Sequence, residues 1–145
     1  MSEKNQKNLQ IKNKNSDTLF RSIKHACEGL IYVSETDAPV DAFRGTAADV
    51  VTRNVIIQQT GRKEECPIEE VSFDDFFARL TADKDWFGKN EKAIAKKFLE
   101  LRVILEENLR DRKVFRLGKI QIDIYAVGVD KDGCLMGVKT KAVET

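Results

Sequence analysis

The chain has 145 residues, the length of a single domain that buries roughly 70% of the surface its unfolded form exposes. Hydrophobic residues make up 41% and charged residues 34%, the balance of a soluble globular protein. The 25 basic and 24 acidic residues give a net charge of +1, which does not favour a nucleic-acid-binding protein, and no apolar run is long enough to span a membrane.

The first seven residues lead into no apolar segment, so we expect no secretory signal. Cys27, Cys66 and Cys134 are odd in number, widely spaced and free of a C-x-x-C pair. A disulfide framework is therefore not expected, and a reducing compartment fits better. On these grounds we expect a cytoplasmic protein.

Residues 1–15 are rich in Lys, Asn and Gln, which is typical of a flexible, solvated extension. A weak basic arm is the alternative. Ser16 or Asp17 can cap the helix that follows. Its apolar residues recur at spacings of three and four, and they are Leu19, Ile23, Ala26, Cys27 and Leu30. We expect residues 16–145 to form a single domain.

An apolar run at residues 30–33 leads into a polar loop at residues 34–39, so the apolar run should fix the position of that loop. Residues 40–44 suit a short strand that Gly45 and Thr46 would break. Residues 47–59 are ambiguous, because their apolar positions suit a helix while the run at residues 55–57 also suits a strand.

Two further helices are predicted in the second half of the chain. Ser72 and Asp75 form a near capping box for a short helix at residues 73–80. The longest helix should begin near Asn90 and end near Arg110, with a broad apolar arc buried against the rest of the protein. That arc comprises Ile94, Phe98, Leu99, Leu101, Val103, Ile104, Leu105 and Leu109.

The last third of the chain reads as three strands, at residues 114–117, 120–129 and 135–143. Asp132 and Gly133 between the last two strands are a strong signal for a hairpin. The residues therefore predict an α+β fold, with an antiparallel sheet covered by the long helix and the first helix. A strand that runs almost to Thr145 would hold the end of the chain in a fixed position.

Catalysis and metal binding are poorly supported. His25 is the single histidine, and it lies on a different side of the first helix from Cys27. No ligands cluster as a zinc site requires, and no glycine-rich loop could hold a phosphate. Residues 130–133 resemble the start of a calcium loop, but the later ligands are missing and a hairpin turn explains them. We expect no enzyme and no cofactor.

Three features have a structural interpretation and a functional one. Glu35 is either a solvated loop residue or a contact for a partner. Asp85 and Trp86, followed by Phe87, either cap the core or anchor a partner, because Trp is common among residues that dominate binding energy. Thr145 is either a frayed end or a fixed one.

The order and spacing of several motifs resemble the nuclease A inhibitor family, bacterial proteins that block a sugar-nonspecific DNA/RNA endonuclease. The resemblance covers nearly all of residues 16–145. The motifs are the Gly-Leu-Ile-Tyr-Val-Ser-Glu of residues 29–35, the Gln-Gln-Thr-Gly of residues 58–61, the Asp-Trp of residues 85–86, the Arg-Leu-Gly of residues 116–118, Asp123 with Tyr125 and Gly128, and the ending Val143, Glu144 and Thr145.

This resemblance implies a three-layer α-β-α sandwich with a mainly antiparallel central sheet and no enzymatic activity. It implies that Thr145 reaches the metal ion of the nuclease and that Glu35 engages basic groups of the active site. Asp85 and Trp86 would flank this contact, and Glu144 would accompany Thr145. The partner would be a metal-dependent endonuclease of the ββα-metal type, bound one-to-one by a protein that is a monomer alone. No metal of its own is implied.

The charge balance departs from the acidic one that the resemblance leads us to expect. A net charge of +1 would weaken long-range attraction to a basic nuclease cleft, which slows association more than it weakens contacts. Residues 1–15 supply part of the positive charge. The alternative function is a protein-interaction module of the same fold with a different, non-nuclease partner.

Overall fold

The computed structural model describes residues 15–145, so the extension predicted over residues 1–15 lies outside the described residues apart from Asn15. Asn15 is the N-cap of the first helix, because its side chain accepts a hydrogen bond of 2.9 Å from the Thr18 N–H. The predicted caps, Ser16 and Asp17, are instead the first helical residues. The helices within the described range are α1 (Ser16–Ala26), α2 (Arg53–Thr60), α3 (Phe73–Thr81) and α4 (Lys89–Asn108).

The strands form two antiparallel sheets. A small hairpin pairs β1 with β2, and a five-stranded sheet has the order β3-β7-β6-β5-β4. The α+β class is therefore confirmed. The strands are β1 (Ile31–Val33), β2 (Asp37–Pro39), β3 (Asp41–Ala47), β4 (Ile68–Val71), β5 (Arg110–Leu117), β6 (Gln121–Val129) and β7 (Cys134–Val143).

Alternating residues of β6 enter two separate clusters of buried side chains. Ile122 and Ile124 belong to the first cluster, whereas Val127 and Val129 belong to the second. Since neighbouring strand residues point to opposite faces, both faces of the sheet carry buried apolar groups. A helix–sheet–helix order would produce these two clusters, and the three-layer arrangement stays a prediction.

The first cluster contains side chains of α1, α3 and α4, and its members include Leu19, Phe77 and Leu101. The second cluster contains Ile56 of α2. Each fully buried Leu, Ile or Phe contributes roughly 1.5 to 3 kcal/mol in transfer terms, so these contacts are what hold the helices to the sheet. No helix in residues 15–145 combines the length and the apolar character needed to cross a membrane.

The broad apolar arc predicted for α4 is wrong in part. Ile94, Leu99 and Val103 are exposed. The helix buries only a stripe formed by Ala95, Phe98, Leu101 and Leu105. Residues spaced by three and four share one face of a helix, and only this face of α4 meets the first cluster.

The ambiguous stretch at residues 47–59 contains a helix, α2. Thr52 caps its start, accepting a hydrogen bond from the Val55 N–H, and Gly61 ends it with a φ of 70°. That left-handed φ favours glycine. The predicted break at Gly45 and Thr46 is wrong, because β3 continues to Ala47 with a register shift after Arg44.

Candidate functional site

The last residues of the chain lie against the turn of the β1–β2 hairpin. The Val143 N–H donates to the Ser34 hydroxyl at 3.0 Å, and the Glu35 N–H donates to the Val143 carbonyl at 3.3 Å. The pairing of β3 with β7 ends at Asp41 and Lys139. Beyond that point, the hairpin turn takes the place of β3 and bonds to the last residues of β7.

Glu35 holds Thr145 through two hydrogen bonds. The Thr145 backbone N–H donates to Glu35 Oε2 at 2.5 Å, and its hydroxyl donates to Oε1 at 2.7 Å. These two bonds lower the pKa of Glu35 below its ordinary value, because they stabilise the charged carboxylate. The bond from the hydroxyl has the larger effect, and the bond from the backbone N–H has the smaller one. Both residues are exposed, so the pair is presented to solvent.

The hairpin turn is anchored from below by Tyr32, which is buried. Its ring stacks on Phe76 of α3 with the centroids 5.9 Å apart, and Arg79 donates to its hydroxyl at 3.4 Å. Within the turn, the Ser34 N–H and hydroxyl both donate to the Thr36 carbonyl, at 2.9 and 3.1 Å. Glu35 thus sits on a turn whose backbone and base are both fixed, as its apolar anchor predicted.

Glu144 is held by the β5–β6 turn and by β5, on the side opposite the β1–β2 hairpin. Its N–H donates to the Ile120 carbonyl at 2.9 Å, and its carboxylate accepts from Arg116 Nη2 at 2.5 Å. The Nε of Arg116 lies 3.1 Å from a carboxylate oxygen of Glu69, and the Arg116 side chain is only 15% exposed. Arg116 therefore links β4, β5 and the end of the chain.

Asp85 and Trp86 lie in the segment between α3 and α4. Trp86 is 76% exposed, and its ring packs edge-to-face on Phe87 with the centroids 4.6 Å apart. Over residues 15–145, no hydrogen bond, ion pair or ring contact joins Asp85 or Trp86 to Glu35 or Thr145. Trp86 does not cap the core, which leaves the partner-anchor interpretation as a prediction.

Ser34 and Arg116 fix the site, and their roles were not identified from the sequence. Both residues lie in the motifs that carry the family resemblance, and Arg116 occupies a strand otherwise rich in charge. An arginine on a sheet strand that is largely covered usually has a carboxylate partner, which is the signal that could have pointed to Glu144. Sequence spacing could not identify which carboxylate it meets.

The residues weighed for catalysis have ordinary structural roles. Burial, with a smaller effect from Asp41, raises the pKa of Cys27 to about 12, which disfavours the nucleophilic thiolate. His25 is exposed and faces Glu28 at 3.5 Å. The described part of the chain contains no group of three His, Cys, Asp or Glu side chains arranged to hold a metal ion.

Glu35 and Thr145 therefore form an exposed, hydrogen-bonded pair next to the end of β7, where a partner protein could reach both side chains. The family model described as nuclease A inhibitor-like protein matches residues 17–145, and the chain belongs to this family. The comparison with curated proteins gave no match. Membership confirms the resemblance and indicates, in general terms, a non-catalytic nuclease inhibitor with a nuclease as its partner.

Proposed function

We propose that this protein inhibits a metal-dependent, sugar-nonspecific DNA/RNA endonuclease of the ββα-metal type by placing Thr145 and Glu35 in its active site. The observation that supports this mode is the pair of hydrogen bonds by which Glu35 holds Thr145. In this proposal the Thr145 side-chain and main-chain oxygens are the groups that face the metal ion of the nuclease.

Thr145 would approach the metal ion of the nuclease. Mg²⁺ prefers oxygen ligands and keeps exchangeable waters in phosphoryl-transfer sites. One of these waters can be replaced by an oxygen of Thr145. Because the hydroxyl hydrogen of Thr145 points to Glu35, the lone pairs of that oxygen stay free for the metal or for a water bound to it.

Glu35 would take the position of a substrate phosphate. Each of its oxygens accepts one hydrogen bond from Thr145 and retains a second acceptor site. An arginine or lysine of the nuclease can occupy these sites with charge-assisted hydrogen bonds. The two residues are already arranged in the free inhibitor, which reduces the ordering cost of binding.

The charge of the folded domain is compatible with a cationic cleft. Residues 1–14 contain four lysines and one glutamate, which leaves 21 basic and 23 acidic residues in the rest of the chain. Residues 15–145 are therefore slightly acidic, although the whole chain has a charge of +1. Attraction to a basic partner is favoured by complementary charge at the contact surface more than by the net charge of the chain.

Asp85 and Trp86 would add contacts at the flank of the complex. A side chain as exposed as Trp86 has apolar area that only a partner can bury, and tryptophan is enriched among residues that dominate binding energy. Glu144 would support Thr145 through its bond to Arg116. We further propose that the protein acts in the cytoplasm, as a monomer that forms a one-to-one complex.

The deciding experiment is plasmid digestion by several ββα-metal endonucleases with Mg²⁺, with and without this protein. Inhibition at stoichiometric excess is expected for at least one of them, and undiminished cutting by all of them contradicts the proposal. A protein-interaction module with a non-nuclease partner would then be the better interpretation, and the net charge of +1 is the observation that favours it.

Two variants separate this mode from inhibition by another surface. Glu35→Gln and an extension of two glycines after Thr145 should each weaken inhibition roughly tenfold or more, as expected for residues that dominate binding. Glu107→Gln on the outer face of α4 and the same glycines added before Met1 are the matched controls. Unchanged inhibition by both test variants rules out the proposed mode even if the wild type inhibits.

A further inference from the structure

Two exposed aliphatic side chains lie on either side of the Glu35–Thr145 pair. Val33 is 70% exposed and Ile120 is 58% exposed, although Tyr32, next to Val33, is buried. Large apolar side chains cost free energy when they stay in contact with water, so their position beside a recognition site is informative.

Hydrogen bonds fix where these two residues lie. Val33 directly precedes Ser34, whose hydroxyl accepts from the Val143 N–H at 3.0 Å. The Ile120 carbonyl accepts from the Glu144 N–H at 2.9 Å. Val33 therefore lies on the hairpin side of the last three residues, and Ile120 lies on the side of the turn between β5 and β6.

Two carboxylates, those of Glu35 and Glu144, lie between them. Glu35 has no cationic partner among the described residues, and Glu144 shares Arg116 with Glu69. The surface is thus acidic at its centre, with an aliphatic side chain on each flank. Its complement is a cleft that is cationic at its floor and apolar at its rim.

A protein that binds nucleic acid without regard to sequence fits this description. Such proteins hold phosphates through cationic groups and pack aromatic or apolar side chains against bases. We propose that Val33 and Ile120 form an apolar rim that packs against the base-contacting side chains of the nuclease cleft and excludes water from the Glu35–Thr145 contact. This inference rests on the proposed function and adds to it the residues that cover the charged centre.

The rim would act through water exclusion. Contacts that surround a charged centre keep water from it and contribute the free energy of burying their own apolar area. Removing one aliphatic group should therefore weaken binding even though no charge is lost. The loss should also depend little on salt, unlike the loss of a charge.

The test measures inhibition constants against a ββα-metal endonuclease that the wild type inhibits. Val33→Thr and Ile120→Thr both keep a β-branched side chain, of equal size at Val33 and slightly smaller at Ile120. Each should raise the inhibition constant roughly 3- to 10-fold. Val33→Ile and Ile120→Val should keep wild-type inhibition. Melting curves of all four variants report whether each is folded.

Val50→Thr is the matched control. Val50 is 51% exposed and follows Asp49, whose carbonyl faces Arg110 at the end of β5 remote from Ile120. Its inhibition constant should equal that of the wild type. If the inhibition constants of Val33→Thr and Ile120→Thr equal that of Val50→Thr, the apolar rim is overturned and the proposed function still stands. A wild-type protein that inhibits no nuclease overturns the proposed function itself.

The salt dependence of the inhibition constants provides a second test. Raising the salt concentration from about 50 to about 500 mM screens charge interactions beyond a few ångströms. The inhibition constant of Val33→Thr divided by that of the wild type should stay the same over this range. The corresponding ratio for Glu35→Gln should fall, because that variant has lost a charge. A Val33→Thr ratio that falls with salt in parallel with that of Glu35→Gln contradicts an apolar contact.

Discussion

Glu35 and Thr145, which are 110 residues apart in sequence, are joined by two hydrogen bonds of 2.5 and 2.7 Å. The acceptor lies in a hairpin turn and the donor at the end of the central sheet. Ser34 and Val143 bring the two segments side by side, so the pair is a consequence of the fold and not of local sequence. Each of its members can be tested separately.

Thr145→Val should raise the pKa of Glu35 toward its ordinary value of 4.5, because the hydroxyl is the largest cause of its lowering. A carboxyl whose pKa is lowered by folding contributes stability above its unfolded pKa and loses it as the pH falls through the folded pKa. The pair should therefore persist at neutral pH and weaken below pH 4.5. Titration of the Glu35 carboxyl carbon by NMR measures this, with Thr145→Ser as the control that keeps the hydroxyl. An identical Glu35 midpoint in wild type and Thr145→Val contradicts the hydroxyl bond.

Arg116→Met should destabilise the protein by about 1 kcal/mol, the magnitude of a partly exposed ion pair, and should also weaken inhibition. The reason is that Glu144 loses its bond of 2.5 Å while its backbone bond to Ile120 remains. Urea unfolding and the inhibition constant measure the two effects. Arg102→Met, which removes ion pairs to Asp74 and Glu106, should lower stability alone. Equal inhibition by the two variants would show that Arg116 does not position the end of the chain.

Trp86→Ala should leave the melting temperature unchanged, because a side chain that is 76% exposed buries little area in the free protein. Inhibition should weaken by about 2 kcal/mol or more, as for tryptophans that anchor a partner. Calorimetry of the free protein and of the complex separates the two quantities. A fall in melting temperature with inhibition intact would assign Trp86 to the fold.

Asp130→Asn should cost about 2 kcal/mol of stability, since a buried carboxylate loses charge-assisted hydrogen bonds. Asp130 is fully buried and accepts from the Ser16 hydroxyl at 2.5 Å and from the N–H groups of Asp132 and Cys134. It lies at the end of β6 remote from Gln121 and the candidate site. Inhibition by the folded variant should be that of the wild type, and a weakened inhibition would reveal coupling between the two ends of the sheet.

Local sequence patterns predicted the elements that local physics decides. The spacing of Phe98, Leu101 and Leu105 indicated α4, and Asp132 with Gly133 indicated the β6–β7 hairpin, where Gly133 has a φ of 80°. The α+β class followed from these elements. The breadth of the α4 arc could not be predicted, because the exposure of an apolar residue depends on which elements pack against it.

The candidate site was predictable only in part. Glu35 and Thr145 were identified individually, but their contact depends on the register of β1 with β2 and on the path of β7 past the hairpin. No periodicity encodes a contact of that kind. Arg116 shows the same limit, since its partners Glu69 and Glu144 come from distant parts of the chain.

The position of β7 in the sheet has a consequence for biosynthesis. β7 pairs on one side with β6 and on the other with β3, joining Asp41 to Lys139 and Ala47 to Cys134. Pairing over roughly ninety residues of sequence slows folding, because the chain must close a long loop before the contact forms. A nascent chain cannot complete this sheet until β7 has left the ribosome. Any product that stops before Cys134 lacks both β7 and Thr145, so it should neither complete the sheet nor carry the candidate site.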